Sequence, residues 1–173
     1  MPRTSTSPSD RSAGILLFRR RSGRLEVLLV HPGGPIWASK DLGAWSVPKG
    51  LCEEGEDLLD AAKREFEEET GGRAEGTFVP LTAVRQPSGK IVHAFALRGE
   101  FDPRTLRSNT FTMEWPPRSG MRTSFPEVDG CAWMPIAVAK RKILAGQVPL
   151  IDELVRKLAR RGPRAKRGKP GAD

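Results

Sequence analysis

Cysteine is scarce in this chain, a membrane-length apolar run is missing, and the surplus of positive charge is confined to one end. The two cysteines, Cys52 and Cys131, form no metal-spaced cluster, which excludes a structural zinc motif and a multi-disulfide scaffold. A single disulfide stays open beside the plainer reading, two free thiols in a reducing cytoplasm. No apolar stretch approaches bilayer length, so no membrane association is expected. Residues Met1 to Asp10 lack the apolar core of a secretion signal. The expectation is a disordered arm over residues 1–11 and a cytoplasmic location. The formal net charge of +8 is also misleading until it is located. Eight bases against the single acid Asp173 fall between Arg156 and the end, which puts +7 there and leaves +1 for the body. Residues 161–173 read as a basic disordered tail that keeps the protein soluble, and no obligate nucleic-acid partner is expected.

What remains, residues 12–160, suits one domain, with 15 Pro and 18 Gly marking many turns between short elements. Apolar runs at 13–19 and 25–31, separated by Arg21-Ser22-Gly23-Arg24, predict a β-hairpin. Runs at 78–85 and 90–97 around Gln86-Pro87-Ser88-Gly89 predict a second. Residues 99–127 read mostly as loop, with one strand at 110–115, and a last strand falls at 130–134. Helical patterns cover about 136–144 and 149–160. Short strands with few helices predict an α/β (α+β) fold with helices on a mixed sheet, not a doubly wound one.

The most informative stretch is acidic. Nine of the 21 acids lie between Glu53 and Glu69, against only Lys63 and Arg64. Residues 57–70 predict a helix, with Asp57 to cap its start and Gly71-Gly72 to stop it. On a helical wheel Leu58, Leu59, Ala62 and Phe66 share the core side. Glu65, Glu68 and Glu69 fall along its edge, and Glu67 points to solvent. Carboxylates converging near a low-dielectric surface call for protonation, basic partners or a cation. Oxygen donors on adjacent turns, without nearby His or Cys, suit Mg²⁺ or Mn²⁺ rather than zinc. The competing reading is a solvated charged face.

Spacing weighs against that competitor. From Gly50 the chain reads Gly50, Glu56, Arg64, Glu65, Phe66, Glu68, Glu69, Gly71, which resembles the Nudix box at every charged and glycine position. One departure is Gly72, where the family usually has an aliphatic residue; looser packing after the helix is the expectation. The resemblance covers roughly residues 12–145 and implies a Nudix-type α/β/α sandwich around a mixed β-sheet. It also implies metal-dependent hydrolysis of a diphosphate linkage in a nucleoside diphosphate derivative. Glu65, Glu68 and Glu69, with the carbonyl of Gly50, are then the metal ligands. Glu65 or Glu127 is the general base, and Arg64 belongs to the same catalytic group. Arg64 and Glu56 more naturally pair to brace the loop against the helix.

Lys49, Arg85 and Arg107 are candidates for substrate phosphates. Trp37, Phe111 and Trp115, read as loop residues, are candidates for stacking on a base. Trp133 and His93 read as sheet residues. The absence of tyrosine removes a residue often seen in dinucleoside polyphosphate hydrolases. Pro87 falls near a proline common in ADP-ribose-type members. The expected substrate is a small nucleotide, leaning to dinucleoside polyphosphates or nucleoside triphosphates. An ADP-ribose-type pyrophosphatase or a non-catalytic nucleotide- or RNA-binding module stands as the alternative, and the oligomeric state stays open.

Overall fold

A computed structural model describes residues 10–161. The first hairpin forms as expected and runs longer: β1 (Arg11–Arg21) and β2 (Arg24–Pro32) pair antiparallel across Ser22-Gly23, both at positive φ. β1 therefore takes in Arg11, the last residue of the expected arm. The other arm residues before Asp10, and the tail after Arg161, lie outside the described residues.

β1 is the centre of the sheet. Its run Ala13 to Phe18 is buried on both faces, as a continuous apolar strand should be. Strand β6 (Ile91–Arg98) runs parallel along one edge of it. The other edge is shared: β2 pairs with its second half, and β3 (Lys49–Leu51) pairs antiparallel with Ser12 to Gly14. Segment 46–51 is thus wedged between β1 and β2, with Ser46 bridging Val30 and the Pro48 carbonyl accepting from Ile15 N–H at 3.1 Å. The principal path is completed by β4 (Phe78–Pro80) outside β6 and by β9 (Val128–Pro135) outside β2. A short β5 (Val84–Arg85) also pairs with β6. The second hairpin is therefore real but has an interrupted first strand. One parallel pairing among antiparallel ones makes the sheet mixed, as expected.

Helices cover both faces. α1 (Leu58–Thr70) lies over Ala13, Ile15, Leu17 and Leu28 through Ala61, Ala62 and Phe66. The opposite face, with Leu16, Phe18, Val27, Leu29, Ala94 and Ala96, is covered by α2 (Ile136–Lys142) and α3 (Val148–Arg160). The arrangement is an α/β/α sandwich. Among the described residues no helix is long and apolar enough to cross a membrane.

Two expectations need correction. The stretch 99–127 is mostly loop with the expected strand β7 (Thr110–Glu114), but it also holds β8 (Arg122–Pro126), and the two form a separate two-stranded ribbon. β8 was missed because Arg122-Thr-Ser-Phe-Pro alternates over only five residues, and it pairs with β7 outside the main sheet. Leu59 is only half-buried; Ala61 is the fully buried residue of that turn. Small alanines let α1 sit close to β1, which rotates the buried stripe towards Glu65.

Candidate active site

The site is assembled around the C-terminal half of α1. Asp57 caps the helix start, accepting from the N–H groups of Leu59 and Asp60 at 3.1 and 3.2 Å. Gly71, at φ 79°, ends it with its N–H on the Glu67 carbonyl, a left-handed position that glycine takes without penalty. No basic residue occupies the last turn. Glu67, Glu68 and Glu69 instead crowd the negative end of the helix dipole, where anions are disfavoured and cations favoured.

Glu65 is buried, Glu68 and Glu69 are half-buried, and Glu67 is exposed, the division that the helical wheel predicts. The Glu65 carboxylate lies so close over the backbone of Gly50 that a Cβ there would collide with it. Only glycine allows this contact between β3 and α1. One turn on, Glu69 Oε2 accepts from the Lys49 N–H at 3.1 Å. Burial pushes the Glu65 carboxyl up against the pull of Arg64, and pushes that of Glu69 up to about 8 against the pull of Lys49. Burial likewise lowers the Lys49 ammonium.

Arg64 is spread over five acceptor oxygens on four residues. Its Nε and one terminal nitrogen hold both oxygens of Glu56 at 2.8 Å. That nitrogen also reaches the Leu51 carbonyl at 3.0 Å. The other nitrogen touches Glu65 Oε1 at 2.8 Å and Glu68 Oε2 at 3.2 Å. The expected brace between loop and helix is present, and it extends into the acidic group itself.

Glu127 stands across from α1 at the start of β9. Its N–H donates to the Asn109 carbonyl at 2.8 Å, and the Asn109 N–H donates to the Glu68 carbonyl at 2.8 Å. The Glu127 carbonyl in turn accepts from Gly33 N–H at 2.9 Å. Its backbone is thus tied to helix and loop alike. Its carboxyl is pushed up by burial and by Glu68.

Two neighbouring cavities share Pro32, Trp37 and Glu127. The first, about 310 Å³, is apolar and runs between loop 33–37 and the ribbon residues Phe111 and Met113. The second, about 280 Å³, is polar and brings together Lys49, Glu69, Ser46, Gln86, Ser88 and Lys90. Loop 33–43 is anchored by buried His31, whose Nε2 donates to the Lys40 carbonyl at 2.6 Å and whose Nδ1 is hydrogen-bonded to the Asp129 carboxyl at 2.7 Å.

Of the residues expected to contact substrate, Lys49, Trp37 and Phe111 line these cavities. Phe111 does so from β7, the strand expected at 110–115. Arg85, Arg107 and Trp115 line neither. Arg85 and Arg107 are exposed, and the Arg107 backbone packs behind the helix end against Gly71 and Thr70. Ser46, Gln86, Ser88 and Lys90 were missed, because each sits in a turn or strand whose sequence carries no charge pattern of its own. Gln147 was missed too: fully buried, it accepts from Val47 N–H at 3.0 Å and fixes the segment that leads into β3. Gly72 does not loosen the packing. The Phe101 ring fills the place of an aliphatic side chain and meets Phe66 edge-on at 6.2 Å. Trp133, on β9, is partly buried and donates to the Phe101 carbonyl. Both cysteines are free.

The donors fit a hard divalent cation by their chemistry: oxygen only, desolvated, and at the negative end of a helix. Arg64 engages one oxygen each of Glu65 and Glu68 and leaves the second oxygen of each without it. Among the described residues, no three His, Cys, Asp or Glu side chains stand grouped so that they could hold a metal ion as they are placed.

Comparison with known proteins agrees with this geometry. The NUDIX domain family matches residues 8–154. An octanoyltransferase of Myxococcus xanthus is 31% identical over 141 residues, 82% of this chain and 35% of that protein. An RNA pyrophosphohydrolase of Bartonella henselae is 38% identical over 74 residues, 40% of each chain. The chain thus spans about a third to two fifths of these curated relatives. Among solved structures, a binary complex of the C. elegans Ap4A hydrolase has the same fold, with a TM-score of 0.62 and 23% identity over 86% of this chain and 98% of that one. A glutamate-rich loop–helix–loop on an α/β/α sandwich defines the class, and the chain belongs to the Nudix hydrolase family. Membership implies dependence on a divalent cation.

Proposed function

We propose that this chain hydrolyses a diphosphate linkage in a nucleotide, with Mg²⁺ or Mn²⁺ held by Glu65, Glu68, Glu69 and the Gly50 carbonyl. The observation that carries this is the stacking of two desolvated carboxyls, Glu65 and Glu69, one helical turn apart against the β3 backbone. A bound cation would neutralise phosphate charge and acidify water beside it. The other work falls to the chain. Lys49 and Lys90 present ammonium groups to the phosphates in the polar cavity. Glu127 or Glu65, both with carboxyls raised by burial, takes the proton from the attacking water. Trp37 and Phe111 hold a base in the apolar cavity.

The substrate class we favour is a dinucleoside polyphosphate or nucleoside triphosphate. It is supported by a base-sized apolar cavity beside a lysine-bearing one, and by the shared fold with the Ap4A hydrolase. An ADP-ribose-type reading is supported by the likeness to the NUDIX domain of Shewanella oneidensis NrtR complexed with ADP ribose, at a TM-score of 0.60 and 19% identity. A nucleotide panel run with several divalent metals separates them. In that panel Glu69→Gln should lower turnover by several orders of magnitude while leaving the urea midpoint near wild type. Full turnover in this variant, or in excess chelator, would remove the mechanism.

A further inference from the structure

A second charged feature lies at the opposite end of the sheet and plays no part in the site above. Gly14 of β1 pairs with Lys49, and Arg20 is six residues further along the same strand, about 20 Å away at 3.3 Å per residue. Past Phe18 and Ala96, the rows of side chains facing α3 end in Arg20 on β1 and Arg98 on β6. Arg161 comes up to them from the end of α3. Together they rim a cavity of about 480 Å³ whose floor is Phe18, Val79, Ala96 and Leu158. All three arginines are exposed, and among the described residues none takes part in an ion pair. No acid lines the cavity.

Three like charges gathered over an apolar floor repel one another unless an anion joins them. Guanidinium forks match the paired oxygens of a phosphodiester, and the apolar floor suits sugar and base. The charge of the chain continues the same way: Arg164, Lys166, Arg167 and Lys169 follow Arg161 in sequence. We infer that this groove binds the backbone of single-stranded nucleic acid, at a site separate from the proposed active site.

The test uses the full chain, excess chelator and a labelled single-stranded oligonucleotide with a 5′-hydroxyl, so that the acidic site has neither metal nor a phosphoanhydride to engage. Wild type should bind it with a steep salt dependence. The groove variant Arg20→Glu/Arg98→Glu/Arg161→Glu should bind on the order of tenfold or more weakly, with a salt slope shallower by about two, the value for three lost phosphate contacts on a single strand. A control with equal net charge, Arg24→Glu/Arg122→Glu/Arg141→Glu, should lose little. Equal losses in both triples would reduce the effect to net charge and overturn the groove. So would tighter wild-type binding to polyglutamate or to anionic vesicles than to the oligonucleotide. If the charge reversals unfold the chain, Arg20→Gln/Arg98→Gln carries the same comparison. Nucleotide turnover is read in parallel, and its failure would bear on the active site alone.

Discussion

Replacing Glu56 by glutamine should make the protein less stable at neutral pH and indifferent to the change in acid. Glu56 accepts two N–H bonds from Arg64 and one from its own loop, the Glu53 N–H donating at 3.0 Å after the chain turns back. Arg64 first, and that backbone bond after the opposing effect of burial, hold the Glu56 carboxyl down at about 2. Its usual value is near 4.3, so at about 1.36 kcal/mol per pH unit the folded state gains roughly 3 kcal/mol from the ionised form. Both side chains keep some contact with water, 16% for Glu56 and 26% for Arg64, which lowers the expected cost of the substitution to about 2 kcal/mol. The sign is that of a depressed acid. Stability is fully present above the unfolded value and is lost as pH falls towards 2. Urea denaturation of both proteins at pH 7 and pH 2.5 measures the gap, and it should shrink by more than half in acid. A gap that stays constant with pH would refute the ion-pair account. Glu56 also competes with Glu65 and Glu68 for the same guanidinium. Glu56→Gln should therefore weaken Mg²⁺ binding, because Arg64 then turns towards the acidic group.

Trp37→Ala should raise KM about tenfold with kcat nearly unchanged, as loss of one stacking platform does; a fall in kcat at constant KM would place Trp37 in the chemistry instead. Gly72→Val, which introduces the kind of residue the family usually has there, should cost about 1–3 kcal/mol in urea denaturation, since even a Cβ would come within 2.8 Å of the Phe101 ring. Adding Phe101→Leu should recover part of the loss, and no recovery would mean that the two positions do not share one volume. Gln147→Leu leaves the buried Val47 N–H without its acceptor and should cost about 1–3 kcal/mol; an unchanged urea midpoint would show that another acceptor replaces it.

The parts legible in sequence are those with a period or a fixed chemical need. Asp57, the alternation of glutamates over 65–69 and Gly71 describe α1 to within a residue, because caps and helical spacing are local. The run from Ala13 to Phe18 announces a central strand for the same reason. Ribbon β7–β8 carries only weak alternation, so only β7 showed. The polar cavity is worse still. Ser46, Gln86, Ser88 and Lys90 reach it from two separate turns, and nothing in either turn encodes the other. Arg85 and Arg107 had weaker claims than Lys49 in sequence; the pairing of β3 with β1 places Lys49 at the site, while Arg85 and Arg107 are exposed away from it.

This difference has a functional counterpart. The acidic half of the site is mounted on α1 and β3, elements buried against β1, and its geometry depends on contacts such as Gly50 beneath Glu65 that tolerate almost no variation. The other half is carried by Loop 33–37, the Phe111 ribbon and the turn at Gln86, held by a few hydrogen bonds from His31, Asn109 and Glu127. A reaction that requires a cation against a phosphate can keep the first half fixed. Choice among nucleotides can then be altered through the second at little cost to the core. Glu127 lies where the two halves meet, tied through Asn109 to the helix and directly to the loop. Any shift of the loop would therefore be transmitted to Glu127, the carboxylate that lines both cavities.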